Sequence, residues 1–253
     1  MTKRVISVFL CVLCVISSIS FIVSAKENKE YTSDNFLSVA DGIIAWKKAD
    51  NGSEPDGYLI NDKYLENAGT TPGDWYPIAL GRLGIQDNNE GYLAVIKDRV
   101  EERYRESGRL SAAKATEWHR IALAVLAMGG DPTNFGTDEN GAPINLIADG
   151  TYDRGRTAPL GRQGINGWIW GLITLDSMRY AVPDGAYNTR DDIIVEIISK
   201  QLSDGGFALS SDDADPDITA MAITALAPYY NSEKIYSYHR KALSADESKT
   251  VHE

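Results

Sequence analysis

Four polar residues recur at equivalent places in this chain: Asp74, Glu117, Asn166 and Asp217. Each precedes by four residues a segment that reads apolar, Ala or Gly, Leu or Ile, two variable residues, Leu. At a helix N-terminus such a side chain can accept the free N–H groups of the first turn, the role expected of Asp217 after Pro216. If the four helices run parallel round one cavity, the same residues ring its mouth and bind a cation or a polar ligand head. Aromatic residues lie just inside that ring: Trp75, Tyr76, Trp118, Trp168 and Trp170, with His119 and Thr219 nearby. They suit stacking on an apolar ligand or attraction of a cationic one, and Trp at helical spacing also fills cores. His119, between Trp118 and Arg120, reads as a hydrogen-bonded structural residue or a ligand contact.

Other chemistries lack their residues. A glycine-rich phosphate loop and a serine nucleophile elbow are missing. The acidic stretches Asp212-Asp213-Ala214-Asp215 and Asp138-Glu139-Asn140-Gly141 do not follow EF-hand spacing and read as solvated loops, so no metal and no cofactor are expected. The net charge of −11 over 253 residues argues against nucleic acid and anionic lipid, which need clustered Lys and Arg. Lys3 and Arg4 precede an apolar run over residues 5–23, and Val23-Ser24-Ala25 is a small-residue cleavage pattern. Residues 1–25 therefore read as a secretory signal peptide, with a retained anchor as the alternative. Cleavage after Ala25 would leave 228 residues with a net charge of −13, no cysteine and no integral membrane segment. A secreted or cell-surface bacterial protein is expected.

The elements that must position these residues follow from repetition. The four segments start at Ile78, Ile121, Trp170 and Met221, so their spacings are 43, 49 and 51 residues, a period that suits one helix pair per repeat. Apolar nearly all round and rich in Ala and Gly, they read as inner helices buried on every side. Residues 36–46, 92–104 and 191–202 are amphipathic and read as outer helices. Only residues 143–148 remain for the third outer helix, which is expected to be short. Residues 58–60 and 153–160 read as loops or minor hairpins, and residues 236–243 as the start of a fifth outer helix. The breakers are Asn51-Gly52, Thr71-Pro72-Gly73, Gly129-Gly130-Asp131-Pro132, Val182-Pro183-Asp184-Gly185 and Pro228. The expected fold is all-α: a toroid-like array of about four helical hairpins over residues 26–245, an incomplete ring, then a polar tail at 246–253.

Gln201-x-x-x-Gly205-x-Phe207, within Gln201-Leu202-Ser203-Asp204-Gly205-Gly206-Phe207, resembles the Gln-x-x-x-Gly-x-Trp repeat of the prenyltransferase and squalene-cyclase superfamily, with Phe in the Trp place. The likeness covers roughly residues 34–245, and an exported bacterial surface-protein branch is most similar. It implies an α/α toroid in which the Gln side chain bonds backbone at a helix end and the aromatic ring braces adjacent helix pairs. The superfamily's cyclases protonate a double bond with Asp-x-Asp-Asp-Thr-Ala, which here matches Asp215-Pro216-Asp217-Ile218-Thr219-Ala220. The resemblance thus makes Asp217 the candidate general acid beside Asp215, with Ile218 replacing the third acid. The protein prenyltransferases' zinc, held by Asp, Cys and His, has no mature Cys to bind it. Cobalamin carriers look like more distant relatives. A closed toroid has about six hairpins, so the chain is expected to be shortened or to close against another toroid segment or chain. Three functions follow: a non-catalytic exported binding or surface module for an apolar, isoprenoid-like or corrinoid-like molecule, a cyclase-like enzyme, or a remnant without activity of its own.

Overall fold

The computed structural model describes residues 33–154 and 157–252, and the signal-peptide pattern lies outside them. The chain divides into two units, the first ending at Pro55 and the second beginning at Asp56. In the first unit, helix α1 (Ser33–Asn51) covers the expected amphipathic segment. Phe36, Ile43 and Trp46 stand exposed on it. Gly52, with φ of 77°, ends it, because a left-handed residue stops the helical ladder at no steric cost.

The second unit is mostly helical. Its helices are α2 (Asp62–Leu65), α3 (Thr71–Leu83), α4 (Asn89–Ser107), α5 (Thr116–Ala127), α6 (Ile165–Asp176), α7 (Arg190–Ile198) and α8 (Pro216–Leu226). The four repeated segments fall inside α3, α5, α6 and α8. Each of these packs on the next: α3 on α5, α5 on α6, α6 on α8. Small residues set the approach. A Cβ placed on Gly81 of α3 would lie 2.0 Å from the Ala127 carbonyl oxygen of α5, and one on Gly167 of α6 would lie 1.9 Å from that of Leu160.

The amphipathic helices bury one face. In α4 the buried stripe is Tyr92, Ile96, Val100 and Tyr104, at the i, i+4 spacing of one helix side. Helix α7 buries Ile193, Ile194, Ile197 and Ile198 against α6 and opens with a capping box between Thr189 and Asp192. Residues 58–60 form a loop, as expected, yet Leu59 and Ile60 are fully buried. Their N–H groups are satisfied by the two oxygens of Asp87, each at 2.9 Å.

Three expectations are corrected. Thr71-Pro72-Gly73 does not break the chain but opens α3, since Pro is tolerated in a first turn where its N–H is not needed. The short third outer helix is displaced toward the C-terminus. Pro143 pairs with Thr137 in an isolated bridge, and a π-turn forms at Ala148–Tyr152 after the Asn145 side chain accepts from Ala148 N at 2.9 Å. The supposed fifth outer helix is a hairpin of β1 (Tyr236–Arg240) and β2 (Ala245–Lys249), joined by a 3-10 turn. Tyr236, Tyr238 and Arg240 alternate with exposed Ser237 and His239, which is the strand period. β2 takes up residues 246–249, the first half of the expected polar tail. The Arg240 side chain fixes the hairpin by donating to the Gln201 and Leu202 carbonyls just beyond α7.

The helix–helix approach at Gly81 gives a direct test. Gly81→Ala should lower stability by about 1–3 kcal/mol, because its methyl meets backbone that cannot rotate away. Gly42→Ala, in α1 with nothing within 4 Å, should be neutral or stabilising. Urea denaturation of the two variants checks the contrast.

Candidate functional site

Asp74 is fully buried at the start of α3. It accepts from Gly69 N and the Tyr92 hydroxyl, both at 2.7 Å, and from Arg120 Nε at 2.8 Å. Arg120, from the second turn of α5, also bonds Glu117 Oε1 and Oε2 at 2.8 and 3.0 Å, Thr71 Oγ1 at 3.1 Å and the Gly69 carbonyl at 3.1 Å. Arg103 of α4 reaches Glu117 Oε2 at 3.3 Å. Burial works to raise the Glu117 carboxyl, but the bonds and charge of Arg120, then those of Arg103, outweigh it and hold the pKa below its ordinary value. Burial likewise works against the Arg120 charge, and Glu117 and Asp74 outweigh it, so the guanidinium is held more firmly than usual. Two members of the expected anionic ring thus already have their counter-ion.

Beside this cluster is a cleft of about 200 Å³ whose lining includes Trp75, Glu117, Asn166 and Trp170. The Trp75 and Trp170 rings lie 5.6 Å apart with their planes at 55°. Trp75 is 42% exposed. The far wall is Gln163, whose Oε1 accepts from Thr116 Oγ1 at 3.1 Å and ties the 3-10 turn at Leu160–Gln163 to the start of α5. Asn166 Oδ1 is buried without a hydrogen-bond partner. The structure therefore brings together Trp75, Glu117, Asn166 and Trp170 from the expected set, with Asp74 beneath them.

The others lie elsewhere. Trp118 and His119 are fully buried. Trp118 Nε1 donates to the Tyr104 hydroxyl at 2.8 Å, and the Arg154 guanidinium sits 4.9 Å above its ring. His119 Nε2 donates to the Gly150 carbonyl at 2.7 Å, so Nε2 carries the proton. Burial first, then the Arg154 charge, push its pKa down to about 3 against the pull of the Gly150 carbonyl, and the ring stays neutral. Trp168 is half-buried, with Lys200 Nζ 5.8 Å from its ring. Asp217 is exposed in the first turn of α8 and lines neither this cleft nor the next. The expected cap passes to Asp215, whose Oδ1 accepts from Asp217 N at 2.8 Å and Ile218 N at 3.0 Å. The extended backbone of Asp215, φ −99° and ψ 123°, is the Ncap geometry, whereas Asp217 is already helical.

The repeat motif borders a second, larger cleft of about 640 Å³. Gln201 Nε2 donates to the Gly205 carbonyl at 2.9 Å. Thr219 Oγ1 accepts from Phe207 N at 2.9 Å and contacts its carbonyl at 3.2 Å, which pins the motif loop to α8. Phe207, Leu226 and Ile198 form an apolar floor, Ile223 and Tyr230 stand at its side, and residues 249–252 make the opposite wall. That wall is held by His252 Nδ1, 2.9 Å from the Tyr230 carbonyl, and by ring contact between the two residues.

Sequence reasoning missed Arg120, Gln163 and the C-terminal wall. Arg120 had a signal, since it follows Glu117 at the i, i+3 spacing of a helical ion pair. Gln163 and residues 249–252 had none. Among the described residues no group of three or more His, Cys, Asp or Glu could hold a metal ion, and no helix is long and apolar enough to cross a membrane. No protein family, curated protein or solved structure matches the chain.

Two outcomes follow. Arg120→Met should cost about 3–5 kcal/mol, since it strands buried carboxylates. Adding Asp74→Asn to it should recover part of that loss in urea denaturation. His119 has a folded pKa below its ordinary 6.5, so the unfolded chain binds a proton that the folded chain refuses. Stability should therefore fall by about 2 kcal/mol as the pH drops from about 7 to about 5. His119→Gln, which keeps an N–H for Gly150, should flatten that slope in denaturation midpoints taken across the range.

Proposed function

We infer that the chain is an exported module of the α/α-toroid type, related to prenyltransferase and squalene-cyclase repeat proteins, that binds an apolar ligand without turning it over. The alternation of buried and amphipathic helices, each inner helix packed on the next, supports the toroid reading. The bond between Phe207 N and Thr219 Oγ1, which ties the motif loop to α8, supports it further. The leader pattern in residues 1–25 supports export. The observation that carries the function is the 640 Å³ cleft along α8. Its size and mostly apolar walls with a few polar groups are those of a small-molecule site. Ile223, which lines that cleft, is an uncovered apolar side chain at 61% exposure. Covering such a side chain contributes about 1.5–3 kcal/mol. A narrow isoprenoid-like chain fits the volume better than a corrinoid.

Protonation of an olefin needs a carboxyl held in a dry cavity. Asp217 stands in solvent and the Asp215 carboxylate is engaged in capping, which favours binding without turnover.

Calorimetric titration of the purified protein with farnesol and geranylgeraniol tests the reading. Binding is expected, and Ile223→Asp should weaken it at least about tenfold while leaving the fold intact, because the side chain is exposed. No binding, or binding indifferent to that change, would sink it. Cyclised product from an isoprenoid substrate, lost in Asp217→Asn, would replace it with the enzyme reading.

A further inference from the structure

The smaller cleft between Trp75 and Trp170 calls for a ligand of a different kind, and its electrostatics decide which. Arg120 has five N–H donors. Nε goes to Asp74, Nη1 to Glu117 and Thr71, and Nη2 to Glu117 and the Gly69 carbonyl. All five are engaged, so the guanidinium has none to offer an anion. Glu117 is held by Arg120 through both oxygens and by Arg103 through one, and Lys114 and Arg120 also line the cleft. A cation entering it finds the carboxylate already neutralised and two positive side chains beside it.

Beside these charges stand an aromatic surface and an uncharged polar wall. Trp75 and Trp170 form an angled pair with Trp75 open to solvent. Asn166, Thr116 and Gln163 line the cleft with amide and hydroxyl groups. A purely apolar ligand would strip water from these polar side chains without replacing it, which is unfavourable. The occupant must therefore carry no positive charge, present an apolar face to indole and carry hydroxyl or amide groups at its edge. At about 200 Å³ the cleft has room for one ring rather than a chain.

We propose that this cleft is a saccharide-binding site that takes a single pyranose ring without positive charge, its C–H face on Trp75 and its hydroxyls on the polar wall of Asn166, Thr116 and Gln163. The site is built from α3, α5, α6 and the 3-10 turn, and it does not depend on the apolar cleft along α8.

Calorimetry on the purified protein tests this with glucose and N-acetylglucosamine as neutral rings, glucosamine as the cationic ring and glucuronate as the anionic one. A neutral ring should bind at least about tenfold more tightly than the cationic ring. Trp75→Ala should weaken it about tenfold or more, and Asn166→Leu should do the same. Trp75→Phe should retain part of the affinity. Trp75 is exposed, so its loss leaves the fold intact, as an unchanged thermal midpoint will report. Ile223→Asp, in the other cleft, should leave sugar binding unchanged. No heat with either neutral ring at millimolar concentration overturns the proposal. So does sugar binding unaffected by Trp75→Ala, or tighter binding of glucosamine. Farnesol binding without sugar binding defeats this inference alone and leaves the reading of the α8 cleft standing.

Discussion

The Arg120 guanidinium is the constraint on which this part of the molecule depends. It is 7% exposed and holds Asp74 of α3, Glu117 of its own helix α5 and the Gly69 carbonyl in the turn before α3. Tyr92 extends the cluster into α4 through Asp74, and Arg103 extends it again through Glu117. A buried ion pair is weak evidence of net stabilisation, because desolvation offsets the attraction. Geometric specificity is a better account of it. With every donor of the guanidinium used, α3 and α5 have one register in which no charge is stranded. Trp75, next to Asp74, is fixed in direction by that register, and so is the mouth of its cleft.

Small residues act on the same helix pair from its other end. Gly81 lets α3 meet the Ala127 carbonyl at a separation that no side chain would permit. Gly167 does the same where α6 passes Leu160. The repeated Ala and Gly pattern is thus a record of close approach, while the polar residues upstream divide by depth. Asp74 is buried by a neighbour's cation, Glu117 and Asn166 reach a cleft, and Asp217 remains in water.

That division explains how far the sequence could be read. The repeated helices were legible from their recurring apolar pattern. The expected burial on every side holds for α5 and α6 and not for α3 and α8, where Trp75, Ala79, Ala220 and Ile223 are exposed. The amphipathic face of α4 was legible through its i, i+4 spacing. Alignment along the chain placed Asp74, Glu117, Asn166 and Asp217 at matching heights, but position along a helix does not specify which side of it meets a neighbour. Nor did the sequence reveal that Gln163 would come to rest by Thr116, 47 residues earlier. The hairpin was missed because Tyr236 to Leu243 offers apolar residues at intervals that suit either period. Only pairing with Ala245–Lys249 and the anchorage of Arg240 decide between them.

The start of α8 bears most directly on what such a cavity can do. Asp217 and Ile218 are neighbours about 100° apart around the helix, so one can face water while the other faces the core. The structure leaves Asp217 in solvent and buries Ile218. Ile218 therefore brings more than the lack of a carboxyl at this position. It fills with hydrocarbon a place where a carboxylate would be desolvated beside the Phe207 loop that Thr219, the next residue, pins to the helix. An acid there would need a partner, and the N–H groups of the first turn are already taken by Asp215. The capping residue and the buried isoleucine together suit this end of α8 to apolar contact rather than proton transfer.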